Sequence, residues 1–293
     1  MFRSVSGAVP VALRFTLPCP ISFASNIRAP YRPSSEQRLT CPQDYPGLSP
    51  PMRLGLPAGA HLSVLAARQA LCRGMIRSFP AMLAADAPPW AAQALSALAK
   101  LDPQLAAIPE AAGALPWRRR EAGFAGLLRS LCGQMISNQA ATAIWGRLAA
   151  LPGALTPAGL LALDDSALRQ AGLSRPKLLH ARALAAAFAE GRVSAEGLAA
   201  LPDEAAIAAI AAIPGFGPWT AEVHLLFGHD RPDIFPAGDL ALAASLAALR
   251  GLPERPKPKA LSALATAWAP WRSMAARLLW HHWRHVTGRP TGE

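Results

Sequence analysis

Two short segments hold the residue types and spacings that could do chemistry. The first is Ile213-Pro214-Gly215-Phe216-Gly217-Pro218-Trp219-Thr220-Ala221. A helical stretch over 203–212 stops before it, two glycines turn the chain, and Pro218 opens the next helix at the position proline favours. Gly215 and Gly217 permit positive φ and put no side chain in the way of a close approach. Backbone N–H groups at a new helix start are unpaired and carry the positive end of the helix dipole. A phosphate can rest there without any Lys or Arg. For a lone Gly-x-Gly between helices, an ordinary turn with glycines for geometry alone is the commoner explanation.

The second segment, residues 230–242, reads DRPDIFPAGDLAL. Asp239 stands just ahead of an apolar helix, Leu240 to Leu249. Asp at a helix start is a common cap that contributes roughly 1 kcal/mol. A helix N-terminus beside a groove is also a good place to hold an ionised carboxylate near a sugar. The two roles are compatible.

Both segments need helices to position them, and the composition supplies helices. The 293 residues are 52% hydrophobic and 16% charged, enough for a sizeable core, which excludes a chain disordered throughout. Ala and Leu dominate over Val, Ile and Tyr, and no stretch alternates with period two for long. Start and stop signals delimit a helix from Trp90 towards Leu101 and a long amphipathic run within 121–150. Further segments follow at 157–163, 164–171, 176–190, 203–212, 218–228, 239–250, 257–268 and 270–286. The prediction is an all-α core of about ten short helices. No run of 18 apolar residues is present to span a membrane. Cysteines at 19, 41, 72 and 132 form no CxxC, which argues against a disulfide framework, zinc site or iron–sulfur cluster.

The net charge of +11 suggests a polyanionic partner. Residues 1–74, however, carry eight Arg, no Lys and two acids, so more than half of the excess sits there. The same segment holds ten of the 29 prolines and no apolar periodicity. Two accounts fit it: a transit peptide, or a translation start set too far upstream, with Met75 or Met52 as the initiator. The abrupt change to Ala-rich sequence after Met75 favours the second. Residues 1–74 are therefore expected to be a disordered or mis-assigned extension, and 75–290 the working domain.

Taken together, IPGFGPWTAEVHLLF (213–227), RPDIFPAGDLAL (231–242) and WAPWRSMAARLLW (268–280) resemble the helix-hairpin-helix DNA glycosylase superfamily. Within it they are most similar to the 3-methyladenine DNA glycosylase II branch. LCGQMISNQAATAIWGRL (131–148) and GLSRPKLLHARALAAAF (172–188) are similar to earlier helices of that family. The resemblance covers roughly 120–285 in five ordered blocks. It does not extend over 1–74, and 75–118 is too short for the β-rich N-terminal domain some members carry. The implied fold is all-α, two helical subdomains with the active-site cleft between them.

The resemblance implies base-excision repair: hydrolysis of the N-glycosidic bond of alkylated bases, of the 3-methyladenine or 7-methylguanine type, flipped from duplex DNA. Asp239 would be the catalytic carboxylate, stabilising an oxocarbenium-like sugar and activating water. A cationic alkylated base leaves without the separate general acid that other sugar hydrolases need. Bifunctional members place a Schiff-base Lys two residues after the second hairpin glycine. Trp219 stands there, and the cysteine cluster of endonuclease III-like proteins is missing, so the implied activity is monofunctional and leaves an abasic site.

A flipped cationic base suits aromatic faces, and Trp219, Trp271 and Trp268 are the implied pocket walls. Trp145, Trp280 and Trp283 read as core. Gln134, in the GQxIS context, either fills the gap left by the flipped base, contacts its partner, or is a plain surface Gln. Implied DNA contacts are Gly215, Phe216, Gly217, Pro218, Thr220, Ser137 and Arg272, with Ser137 serving either a phosphate or the start of its helix. Arg175 and Lys177 are further phosphate contacts, against the reading of ordinary solvated residues. The Arg118-Arg119-Arg120 run is either footing on DNA or, more safely, a solvated cluster. Family hairpins also hold a monovalent cation on backbone carbonyls, here those of Ile213 and Phe216, so K+ or Na+ is expected there and no other cofactor. His281 and His285 have metal-pair spacing, but no third ligand accompanies them.

The expected partner is double-stranded DNA containing damaged bases, engaged by a monomer with no membrane involved. The expected location is the cytoplasm, associated with a bacterial nucleoid, unless the tail is a targeting segment. Two other functions compete: a glycosylase for a deaminated or oxidised base, and a helix-hairpin-helix DNA-binding module without chemistry. Asp239 speaks against the second, since a pure binder has no use for a carboxylate facing phosphates.

Overall fold

A computed structural model describes residues 82–288. The expected extension over 1–74, the alternative starts at Met52 and Met75, and the domain boundary at 75 lie outside the described residues. Among the described residues there are fourteen α-helices and no strand, only one isolated parallel pairing of Leu83 with Leu115. No helix among them is long and apolar enough to cross a membrane.

The helices begin and end where local chemistry dictates. Pro stands in the first turn of α1 (Pro89–Leu101), α2 (Pro103–Ala106) and α3 (Ile108–Ala112). Asp102 does more than stop α1. Its side chain accepts from the Leu105 N–H and starts α2. The run at 121–150 is two helices, α4 (Phe124–Gly133) and α5 (Asn138–Ala149), not one. Met135 sits between them at φ 60, which no helix accommodates, and the Ser137 hydroxyl caps α5 at the Ala140 N–H, 3.3 Å away.

Side-chain caps also start α6 (Pro157–Ala162), α7 (Asp165–Gln170) and α9 (Ala195–Ala200), from Thr156, Asp164 and Ser194. Between the last two lies α8 (Arg175–Ala189), followed after α9 by α10 (Asp203–Ala211) and α11 (Pro218–Gly228). The chain closes with α12 (Leu240–Arg250), α13 (Pro258–Ala265) running into a 3-10 turn (Thr266–Trp268), and α14 (Arg272–Thr287). The expectation of about ten helices fell short because the 121–150 run divides into α4 and α5, and because α2, α3 and α9, only 4, 5 and 6 residues long, were not anticipated. Helices that short show no apolar period in a sequence.

The helices pack as two groups. One runs continuously from α4 to α11, with α8 against α6 and α4, and α11 against α10 and α4. The other joins α1–α3 to the end of the chain, with α14 packed along α12 and against α1–α3. Leu and Ala fill both, among them Leu127, Leu131, Leu184 and Leu225 in the first and Leu95, Leu98, Leu246 and Leu278 in the second. The segment 229–239 carries the chain across from one group to the other, so its residues face both.

Asp230 is the polar tie at this crossing. It accepts from Trp117 Nε1 at 3.2 Å, Arg119 Nε at 2.6 Å and an Arg277 Nη at 3.2 Å. Arg277 is buried. Its guanidinium lies over the rings of Trp117 and Phe227, 4.0 and 4.7 Å from their centroids, and it also donates to the Arg118 and Leu226 carbonyls. A pair desolvated this far is costly to break by removing one partner.

His224 is fully buried on α11, and neither ring nitrogen has a hydrogen-bond partner. Burial, followed by the neighbouring His229 and Arg120, pushes its pKa down from 6.5 to about 3. Above pH 6.5 the neutral ring is at no disadvantage. As pH falls from 6.5 towards 3, the unfolded chain takes up a proton that the folded chain refuses, and stability drops by about 1.4 kcal/mol per unit. His229 and His282 are shifted in the same direction, also by burial first. Urea unfolding at pH 7, 6 and 5 should therefore show a steady loss of stability, with a shallower slope in His224→Leu. An identical slope in that variant would show that another group governs the acid limb.

Candidate functional site

The turn between α10 and α11 is closed by the Phe216 N–H donating to the Ile213 carbonyl at 3.1 Å. Gly215 takes φ 89, and a Cβ there would lie 2.3 Å from the His180 ring. Glycine is required at 215 on both grounds. Gly217 is different: its φ is −99, and a Cβ there would meet nothing within 4 Å. The positive φ anticipated for it is not used, and what its missing side chain provides is open space in front of α11.

Gly217 is the N-cap of α11 and Pro218 its first residue. No side chain caps this helix. The N–H groups of Gly217, Trp219 and Thr220 thus have no hydrogen-bond acceptor among the described residues, and they gather at the positive end of the helix. Two of the expected contacts change character. The Phe216 side chain is buried in the core, and Thr220 is buried with its hydroxyl 3.5 Å from Gln134 Nε2. Both can offer only backbone to a ligand.

Asp239 is the N-cap of α12. Its Oδ1 accepts from the Ala241 and Leu242 N–H groups at 2.8 and 3.0 Å. Its Oδ2 accepts from the Trp219 indole N–H at 3.0 Å. Turn and carboxylate, 20 residues apart in sequence, are therefore one site. A carboxylate offers about four acceptor positions, and three are filled by fixed N–H donors. Trp219 remains 44% exposed, and the next residue after the carboxylate, Leu240, is 73% exposed. Glu222, one turn along α11 from Trp219, is partly buried, and burial pushes its carboxyl up to about 7.

The structure sorts the tryptophans differently from the sequence. Trp268 is not a pocket wall: it is 4% exposed, packs on Phe235, and its indole donates to Asp102 at 2.9 Å. Its place on the 3-10 turn points it inward. Trp271 is half-buried and stacks on Trp90, with ring centroids 6.2 Å apart, so one of its faces is taken. Trp145, Trp280 and Trp283, read as core, are only partly buried.

Arg272 is not a free phosphate contact. It is bidentate to Asp233, at 2.7 and 2.9 Å, and its backbone N–H bonds the same carboxylate. Lys177 donates to the Cys132 and Gln134 carbonyls at 2.8 and 2.7 Å, closing the end of α4. His281 bonds the Gly113 carbonyl rather than pairing with His285.

Gln134 faces inward as well. Its Nε2 donates to the Gly215 carbonyl at 3.1 Å, tying the α4–α5 loop to the hairpin. The residue that projects is its neighbour. Met135 is 100% exposed and Ile136 38% exposed, on a loop held by Gln134, Lys177 and the Ser137 cap. Sequence reasoning missed Met135. The signal was available: Ser137 three residues before Ala140 is a helix start, which makes 134–136 a loop.

Residues 128–270 match the family described as HhH-GPD superfamily base excision DNA repair protein. The chain is 30% identical over 158 residues to DNA-3-methyladenine glycosylase 1 of Schizosaccharomyces pombe, spanning 53% of this chain and 69% of that one. Its fold superposes on a DNA-3-methyladenine glycosidase from Bacillus halodurans with a TM-score of 0.61 and 30% identity, over 69% of this chain and 92% of that one. The Schizosaccharomyces pombe 3-methyladenine DNA glycosylase in complex with abasic DNA gives 0.59 and 27%, over 66% and 95%. The chain belongs to the HhH-GPD superfamily of base excision DNA repair proteins, in its 3-methyladenine glycosylase branch.

Proposed function

We propose that this protein excises alkylated bases, of the 3-methyladenine or 7-methylguanine type, from duplex DNA by hydrolysis of the N-glycosidic bond. The observation that carries this reading is the pairing of Asp239 with Trp219, beside the open N-terminus of α11. The N–H groups of Gly217, Trp219 and Thr220 receive a backbone phosphate, with Gly217 and Pro218 leaving room for it. The duplex is thereby held with the damaged nucleotide next to Asp239. The relatives named as 3-methyladenine glycosylases support the lesion class.

Met135 enters the duplex as an apolar wedge and fills the gap the flipped base leaves. Gln134 positions that wedge instead of acting as it. The exposed Trp219 ring receives the base, whose positive charge favours an aromatic face. As the bond to the base stretches, positive charge grows on the deoxyribose, and the fixed Asp239 carboxylate opposes it without reorganising. The one acceptor position left on Asp239 binds the attacking water and takes up its proton.

The reaction stops at the abasic site. Trp219 occupies the position of a Schiff-base lysine, and the Lys177 ammonium is engaged by two carbonyls. A K+ or Na+ ion fits the hairpin: Ile213 O accepts one hydrogen bond, and Phe216 O accepts none among the described residues. When bound, the ion supplies positive charge beside the phosphate. The protein acts as a monomer on chromosomal DNA.

Single-turnover release of methylated purines from methylated duplex by the full chain tests the reading. Release with strands intact until alkali is expected. Normal DNA binding without release would overturn it, and duplexes with uracil, hypoxanthine or 8-oxoguanine would then identify the lesion. The two hairpin glycines separate stability from binding. Gly215→Ala should unfold at a lower temperature, since its Cβ collides with His180. Gly217→Ala should melt like wild type yet bind duplex about tenfold more weakly, a loss of about 1.4 kcal/mol. Calorimetry and a binding titration of both variants check this.

A further inference from the structure

A second cationic site lies at the other end of α11, about nine residues and hence roughly 13 Å along the helix from the hairpin. The segment 115–118, Phe227 and one face of α14 line a shallow depression that is open to solvent. Leu115, Phe227 and Trp280 form its walls, and Arg118, Arg277 and Arg284 supply its charge. Arg120 stands against it, its guanidinium 5.3 Å from the centre of the Phe227 ring.

Asp230 is taken by Trp117, Arg119 and Arg277, and Asp86 acts on Arg119. Arg284 has no hydrogen-bond or ion-pair partner among the described residues, and the charges that act on it are Arg118 and Arg120. Burial first, then those two cations, pushes its pKa down to about 10. Arg277 Nε is a buried donor without an acceptor. Arginines gathered around a partly desolvated pocket, with a donor left over, call for an oxyanion from outside the chain.

We propose that this pocket binds a phosphate group, through Arg284 and the arginines beside it, as a site separate from the hairpin. Two sources share the chemistry: a DNA backbone phosphate away from the lesion, or a free phosphate or phosphate ester. The site does not depend on Asp239 or on which lesion is removed.

The test uses the full chain and Arg284→Gln, a change on a half-exposed side chain in the last turn of α14. Melting temperature is measured in inorganic phosphate against chloride at equal ionic strength. The salt dependence of undamaged-duplex affinity is measured alongside. If the pocket takes free phosphate, phosphate raises the wild-type melting temperature above its chloride value, and the variant loses at least half of that rise. If a DNA phosphate fills it, the log–log salt slope falls by about one in the variant. Base release per bound duplex is unchanged in either case. A phosphate effect equal in both proteins, or absent from both, together with an unchanged salt slope, overturns the proposal. Arg284→Lys, which keeps the charge, should retain most of whichever effect is seen.

Discussion

Asp239→Asn is expected to slow base release by about 10²- to 10³-fold, while duplex affinity and melting temperature stay near those of the unchanged protein. The fold should survive because Asn is as good an N-cap as Asp. Its Oδ1 can go on accepting from Ala241 and Leu242. On the other side its amide would meet the Trp219 indole N–H, donor against donor, and that bond, worth about 1 kcal/mol, is lost. What disappears entirely is the negative charge. A neutral amide opposes an oxocarbenium-like sugar poorly and cannot take a proton from water. Single-turnover release, duplex titration and a thermal melt on one preparation make the comparison. Equal release by the variant would remove Asp239 from the mechanism. Failure to bind would mean that the substitution reshaped the hairpin through Trp219, and Trp219→Phe would then show the same loss of binding.

Asp230→Asn should have the largest effect on stability, about 3–5 kcal/mol. For a body of this size that lowers the melting temperature by about 10 °C. The residue sits at φ 49, which Asn tolerates, so backbone strain does not enter. Asn can still accept from Trp117 Nε1. The loss of charge leaves the Arg277 guanidinium buried with two carbonyls and two aromatic rings and no counter-ion. Arg119 contributes little, being exposed. Arg277→Met, which removes the charge and fills similar space, should cost less. In the Asp230→Asn background it should recover part of the loss. A melt of Asp230→Asn within 2 °C of the unchanged protein would mean that carbonyls and rings satisfy Arg277 by themselves.

The parts of the site that could be read from the sequence are those built from local chemistry. Pro218 after two glycines starts a helix with free N–H groups whatever packs around it. Asp239 before an apolar run is a cap in any fold that lets the run be helical. Ser137 carried the same information about the loop at 134–136, where the pattern of apolar residues on either side masked it. Recognition of the family added the pairing of the two segments, because five ordered blocks fix an arrangement that neither segment specifies.

The fate of the tryptophans shows where local reading ends. Trp219, Trp268 and Trp271 are equally apolar, and each stands at a helix end or turn. Trp268 is drawn into the core by Asp102, 166 residues earlier in the chain, and Trp271 is covered by Trp90. Trp219 stays exposed because its indole is held by Asp239 at the surface. Arg272 likewise reads as a free cation until Asp233 is brought alongside it. The amino-acid sequence by itself determined the all-α fold, the phosphate-receiving turn and the carboxylate, since caps, prolines and glycines act on their immediate neighbours. The tertiary structure alone decided which aromatic ring and which cation remain available to a ligand. Exposure and charge pairing depend on what distant segments place next to a side chain, and its own neighbours in sequence do not encode that.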